Sequence, residues 1–586
     1  MDMKKFVILC ILAASFTNVS CLKENNTSYP TDESYFTDAT RLKTGVNGCY
    51  SPLRSILVAR GFWEMTEVAC DLIYLSSSTS YNSNCDVSPA RPAISTTIWS
   101  NGYAGVRNCN EMLADIARAV DNGWVSEAEA SPLFAETAVL RALYYYILTS
   151  SFGDVPFYTE KVTEDNRAKI ASLPRMDAVA TRDYLIDELR EWIVTRKALP
   201  YQRTYDNGNY RFGAAVGLMV AAKMCLWNER WDDAIAFISD LESIYGSYYA
   251  TPECFGEDYP LSDVPFSKKY VRESILEVSN IVEAYGLKST GLIASVSTPL
   301  RKNVPTSATS GSEEDEDTEE ETDQTTSGVD FYAGIAIPEL GGYARTSSSV
   351  RPNSYLYKNL LPYSGSDLRS GEYSDGKNTP RGGSGTLAWR WSGYNLINIY
   401  DKNGNIIIPA DPERKNRGVF SFWTSGTSKT PISETSRPWM GNKFWAYGMY
   451  NSQDPNNYKF FRFADALLMK AEALLRKGEY DEACKYLSIT RTRAGIGAIN
   501  FANINYNFDS GALMEEIRKE RARELVGEFQ RKFDLVRWGI WYERTKNYNE
   551  GQYIQDYIMP YHRYWPIPAD QVSYSGGALD NNEYTR

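Results

Sequence analysis

The chain of 586 residues contains a single histidine, His562. That scarcity removes histidine-built metal centres and rests any Ser–His triad on one imidazole, in a segment rich in tyrosine and proline. Packing or a surface position is the expectation for His562, and no catalytic residue, metal or cofactor is expected. No CxxC pair occurs among the nine cysteines. Beyond Cys10 and Cys21 they are scattered over positions 49, 70, 85, 109, 225, 254 and 484, and most read as small buried residues within helices. A disulfide framework therefore does not hold the fold, while pairing of Cys85 with Cys254, both in loop-like surroundings, stays open. After the first 20 residues no apolar run approaches the roughly 20 residues a membrane helix needs. A basic surplus is lacking too. Nine of the eleven residues from 313 to 323 are acidic, so of the net charge of −12 only −3 belongs to the rest of the chain. A nearly neutral body argues against nucleic acid as a partner.

What is present begins at the N-terminus. Lys4 and Lys5 precede a short apolar run from Phe6 to Ala14, followed by Asn18-Val-Ser-Cys21. A basic start, an apolar core too short to span a bilayer and a small residue before a cysteine predict a lipoprotein signal over residues 1–20. Cys21 is then the acylated residue, palmitate-type chains being needed in number because one chain holds a protein to a membrane only weakly. Hydrophobic residues make up 43% of the chain, enough for a sizeable core. The 42 tyrosines and 14 tryptophans exceed what a core alone asks for and suit flat, stacking recognition surfaces.

From Trp99 to about Glu242 the apolar spacing is helical, with helices predicted over 108–119, 132–151 and 176–194. Phe152-Gly-Asp-Val-Pro156 supplies the break after the second. Two segments then repeat each other at one offset of 249 residues. Leu218, Ala222, Leu226, Trp231, Asp232, Ala234 and Phe237 match Leu467, Ala471, Leu475, Tyr480, Asp481, Ala483 and Tyr486. Small alanines that let two helices approach, and an aromatic after the turn, are the physics of a tetratricopeptide-like hairpin. Between about Ile244 and Lys459 short β-type runs such as 274–282 alternate with Gly, Pro, Ser and Asn clusters. The acidic run sits there, within 305–328, without the ligand spacing and glycine of a calcium loop, and reads as a solvated loop. Helical spacing returns over 513–526 and 529–541. The fold class predicted is mainly α: a helical-hairpin scaffold with an irregular, loop-rich region and a few short strands. Its expected divisions are 21–243, 244–458 and 459–586.

Several motifs, in this order, resemble the SusD/RagB family of nutrient-uptake outer-membrane lipoproteins. They include Phe36-Thr-Asp-Ala-Thr, Trp99-Ser-Asn-Gly-Tyr103 with Asn110, and Ala135 to Tyr146 followed by the 152–156 break. Arg462 to Ala473, Thr490 to Gly495, Ile517 to Leu525, Phe533 to Trp538, Trp565-Pro-Ile-Pro568 and Asn581 to Tyr584 complete the set. Asp465 stands where the family usually has Glu, and the acidic loop looks like an insertion. Arg141, Arg462, Arg521, Glu524, Asp534 and Arg537 are expected to pair with one another and with helix ends, since buried charges must be paired.

The resemblance implies a cell-surface protein, lipid-anchored in the outer membrane and facing outward. It would capture glycan and deliver it to a SusC-type TonB-dependent transporter, without catalysis. Peptide cargo for the same transporter is the alternative, and a glycoside hydrolase, needing only two carboxylates, a minor one. The resemblance also places the ligand groove in irregular loops, here 71–98 and 281–393. The residues these offer are Tyr74, Tyr81, Asn84, Arg91, Tyr285, Tyr332, Tyr343, Trp389 and Trp391. Trp389-Arg390-Trp391 stands out because alternate side chains of an extended segment face one way.

Overall fold

The computed structural model describes residues 35–245, 269–279 and 457–584, apart from 76–79, 206–209, 271, 495 and 503–509. Between 280 and 456 it describes 300–303, 329–332, 336–337, 342–343, 350–361, 367, 372–374, 388–394, 399–400, 406–408 and 417–422. The signal segment, Cys21, Cys254, Tyr285 and the acidic run lie outside the described residues. Among those described, the helices are α1 Ala39–Asn47, α2 Ser51–Leu57, α3 Arg60–Trp63, α4 Tyr81–Asn84, α5 Ile94–Asp121, α6 Glu127–Phe152 and α7 Glu164–Ala171. They continue with α8 Ala178–Leu189, α9 Ala214–Trp227, α10 Trp231–Tyr245, α11 Phe463–Arg476, α12 Tyr480–Arg493 and α13 Ser510–Leu525. Four short ones close the chain: α14 Arg531–Arg537, α15 Trp541–Tyr548, α16 Ile554–Tyr557 and α17 Ala569–Tyr574. The fold is mostly helical, as the spacing predicted.

The two repeated segments are the helical hairpins α9–α10 and α11–α12, and they abut through α10 and α11. Where they meet, Tyr245 stacks on Phe463 at 4.3 Å, and Lys470 reaches Glu242 at 2.7 Å across the seam. Hairpin α5–α6 precedes them. Its first helix runs far beyond the expected 108–119, because Gly102 and Gly105 are contact points and not breaks. A Cβ on Gly105 would stand 2.2 Å from the ring of Tyr144 in α6, so only glycine lets the two helices approach this closely. The second helix starts at Glu127, well before Pro132, because Ser126 and Glu129 form a reciprocal capping box. The stretch predicted as one helix over 529–541 is divided between α14 and α15, with Gly539 at φ +72° ending the first.

The middle region contributes strands. β1 Ile73–Leu75 pairs antiparallel with β7 Val350–Pro352, and β2 Ser274–Val278 with β13 Tyr458–Arg462. A five-stranded antiparallel sheet has the order β4 Val329–Tyr332, β3 Leu300–Asn303, β12 Arg417–Phe422, β9 Ala388–Tyr394, β8 Glu372–Ser374. The short pairs β5 Ala336–Ile337 with β6 Gly342–Tyr343, and β10 Ile399–Tyr400 with β11 Ile406–Ile408, complete the set described.

Buried charges tie distant segments together. Arg462 meets Glu273 at 2.9 Å, Glu524 at 2.7 Å and Glu528 at 2.6 Å. Arg521 bridges Asp465 and Asp534, and Arg537 bridges Glu472 and Asp534. Arg141 pairs with Glu188 and binds Asn110. Burial opposes the charge on Asp534, but Arg521 and Arg537 outweigh it and hold the carboxyl at about 2. Asp465, which also touches Lys223 at 2.6 Å, is held low for the same reason. These residues are scaffold.

Candidate functional site

The segment after the first helices, expected as a loop over 71–98, is more ordered than that. β1 occupies its start, and α3 runs on through a π-turn, Glu64–Val68, whose Glu64 accepts from Ser80 at 2.5 Å just before α4. Asn82 in α4 accepts the N–H of Ile94 at 3.0 Å and so fixes the start of α5, where Ala93 offers no side-chain cap. Between them, Cys85 and Ala93 both take positive φ, 56° and 50°. Two non-glycine residues in the left-handed region mark a loop held in place by its surroundings.

That loop presents a compact recognition group. Tyr81 is 49% exposed, and the Arg91 guanidinium lies 4.8 Å from its ring centroid. Asp86 holds the same guanidinium through both carboxylate oxygens at 2.6 Å. Ser88 and Arg91 close the turn by exchanging backbone hydrogen bonds at 3.1 and 2.9 Å. α4 packs against α16, whose flank and body carry the exposed Tyr553 and Tyr557, with exposed Met559 beyond. Three exposed tyrosine rings, a fixed cation and a carboxylate thus stand on adjoining elements. Rings offer flat apolar faces, and the charged pair offers donors and acceptors in a set geometry, the combination a sugar ring needs.

The other expected residues divide. Tyr74 lies in β1 opposite Arg351, is buried and is not offered to a groove. Asn84 is also buried, at the end of α4 where Cys85 turns the chain. Tyr332 falls on the edge strand β4, Tyr343 on β6, and Trp389 and Trp391 on β9, inside the five-stranded sheet. There Trp389 is opposite Tyr373 on one neighbour and Phe420 on the other. The question left open over Cys85 is answered on its own side: it is a buried free thiol, and burial pushes it up to about 11. His562 is buried, its Nδ1 accepts the N–H of Met559 at 3.1 Å, and burial lowers it to about 4. Tyr553 and Tyr557 were not singled out from the sequence. Their sole signal is two tyrosines four apart, at the start and end of a short helical segment.

A model of the SusD family matches residues 316–584, and a second, described as starch-binding associating with outer membrane, matches residues 27–225. The chain belongs to the SusD family. Among curated relatives, SusD-like protein P25 of Formosa agariphila is 22% identical over 98% of this chain and 97% of its own length. SusD-like protein P38 of the same organism is 36% identical over 100 residues, 16% of this chain and 20% of that one. Among solved structures, a SusD-like protein from Bacteroides fragilis superposes with a TM-score of 0.61 at 16% identity, covering 93% of this chain and 97% of that one. Surface glycan-binding protein A from Bacteroides thetaiotaomicron, in complex with laminarihexaose, does so with a TM-score of 0.56 at 18% identity, over 92% and 98% of the two chains. At such identities the likeness is one of fold.

Proposed function

We propose that this SusD-family chain is a non-catalytic binding protein that captures glycan at the outer membrane and hands it to a SusC-type TonB-dependent transporter. The observation that carries the reading is the exposed Tyr81 ring with Arg91 clamped on it by Asp86, beside Tyr553 and Tyr557. The family model described as starch-binding associating with outer membrane supports both the ligand class and the place. The complex of a fold neighbour with laminarihexaose supports the ligand class. A rigid ring and a preset fork lose little freedom on binding, which suits weak, reversible capture before hand-over. Acylation at Cys21 would tether the protein while it opens and closes over its transporter.

The test is a glycan and peptide array probed with the soluble chain beginning at Lys23, as wild type and as Tyr81→Ala/Arg91→Ala. Wild type is expected to retain one glycan class, and the double variant to bind it at least about tenfold more weakly, some 1.4 kcal/mol. Undiminished binding by the variant would move the site to the strand bearing Trp389 and Trp391. Signal on peptides alone would replace glycan by peptide cargo.

A further inference from the structure

A cleft of about 470 Å³ opens between α5, the extended segment after α6 and the C-terminal helix α17. Trp99 of α5 lines it, 4% exposed, its ring edge-on to Phe152 at 5.1 Å. Its indole N–H meets no acceptor among the described residues and is not sealed from solvent, so it is open to an acceptor in the cleft. Tyr158 lines the cleft as well, and its hydroxyl likewise finds no protein partner among the described residues. Across from them stands Tyr574, 77% exposed, with Gln571 one turn earlier on α17. Arg107 is at the rim.

Two of the helices that line this cleft begin at the segment that carries Tyr81 and Arg91. The N–H of Ala569, the first residue of α17, donates to the Pro89 carbonyl at 3.0 Å, in the same turn that carries Arg91. α5 likewise starts at Ile94, whose N–H is held by Asn82 next to Tyr81. Trp99 and Tyr574 each lie five residues on from these anchors, about 7.5 Å along their helices.

We propose that the cleft is a second saccharide subsite, taking further units of the same chain that Tyr81 and Arg91 hold. It rests on the glycan reading above. The Tyr574 ring supplies an apolar face, and the Trp99 N–H, the Tyr158 hydroxyl and the Gln571 amide take sugar hydroxyls. Two stations on one polymer act as a linked pair, so long chains are favoured over fragments that reach only one.

The experiment titrates immobilised plant, algal and animal polysaccharides with the soluble chain beginning at Lys23. It compares wild type, Gln571→Ala/Tyr574→Ala, Tyr574→Phe and Tyr81→Ala. α17 has no buried residue, so these changes leave the core intact, and equal melting temperatures verify it. The Gln571→Ala/Tyr574→Ala variant is expected to bind the polysaccharide that wild type retains about tenfold more weakly, and Tyr574→Phe to bind it like wild type. Equal binding by wild type and the Gln571→Ala/Tyr574→Ala variant, with binding lost in Tyr81→Ala, overturns the second subsite alone. Wild type binding none of the polysaccharides overturns the glycan reading and the subsite with it.

Discussion

Replacing Arg462 by methionine is expected to lower the unfolding free energy by about 3–5 kcal/mol. The guanidinium donates to Glu273, to Glu528 through two nitrogens, and to both the side chain and the backbone carbonyl of Glu524. All four residues are buried. Three carboxylates left without this fork are not rehydrated, and their mutual repulsion acts in a medium of low polarity. The loss is also topological. Arg462 ends β13 and leads into α11, Glu273 precedes β2, and Glu524 and Glu528 flank the end of α13, so one side chain fastens three segments. Urea unfolding followed by circular dichroism measures it, as a lower midpoint at unchanged slope. Arg462→Lys keeps a charge but not the fork, and should recover only part of the loss. A cost under about 1 kcal/mol for Arg462→Met would mean that the cluster is solvated and the pairing incidental.

How far such features could be read beforehand depends on whether their cause is local. The hairpins α9–α10 and α11–α12 were legible because helix periodicity and the alanine–aromatic pattern are written within each segment, twice. The residue types of the charge clusters were legible too, since charges such as Arg521 and Glu524, once buried, must be paired. Which carboxylate meets which arginine was not, because Asp71 and Arg531 are brought together at 2.7 Å only by the tertiary fold. The early start of α5 was missed for the same reason: the place of Gly102 and Gly105 in that helix is set by Leu148 and Tyr144 on another helix.

The candidate site divides along the same line. Tyr81 and Arg91 stand in a segment that the family resemblance pointed to, and their stacking depends on nine intervening residues that fold locally. Tyr74 and Asn84, from the same segment, are turned inward by pairing with β7 and by the turn at Cys85. Neither constraint shows in residue type. Tyr553, Tyr557 and Tyr574 come from the last forty residues and join the surface through α16 and through the Pro89–Ala569 bond. Contacts spanning most of the chain leave no trace in a local pattern, so the aromatic supply was visible while its gathering was not.

Lys532→Met is expected to stabilise the protein at pH 7 by about 1–2 kcal/mol, and to abolish a rise in stability between pH 8 and about 10.4. Lys532 is 2% exposed and forms no ion pair among the described residues. Its ammonium donates to the His562 carbonyl at 2.8 Å and lies 4.6 Å from the Trp541 ring centroid and 4.8 Å from that of Trp565. Two indole faces and one carbonyl do not replace water around a full charge, and burial lowers the group to about 8. The titratable groups facing it carry no compensating charge at neutral pH. The Cys70 and Cys85 thiols are pushed up by burial, and His562 is pushed down, first by burial and then by the lysine itself. Between pH 8 and 10.4 the unfolded chain still holds the proton that the folded chain has released, so stability rises with pH, by an amount on the order of 3 kcal/mol. Below pH 8 both states hold it and the slope vanishes. Buried thiols and tyrosines contribute a slope of opposite sign in this range, which is why the quantity to measure is wild type minus variant. Urea midpoints at pH 7, 8, 9 and 10 should show the variant ahead at pH 7 and the gap closing upward. A gap that does not change with pH would place a counter-charge beside Lys532 and return its titration to the ordinary range.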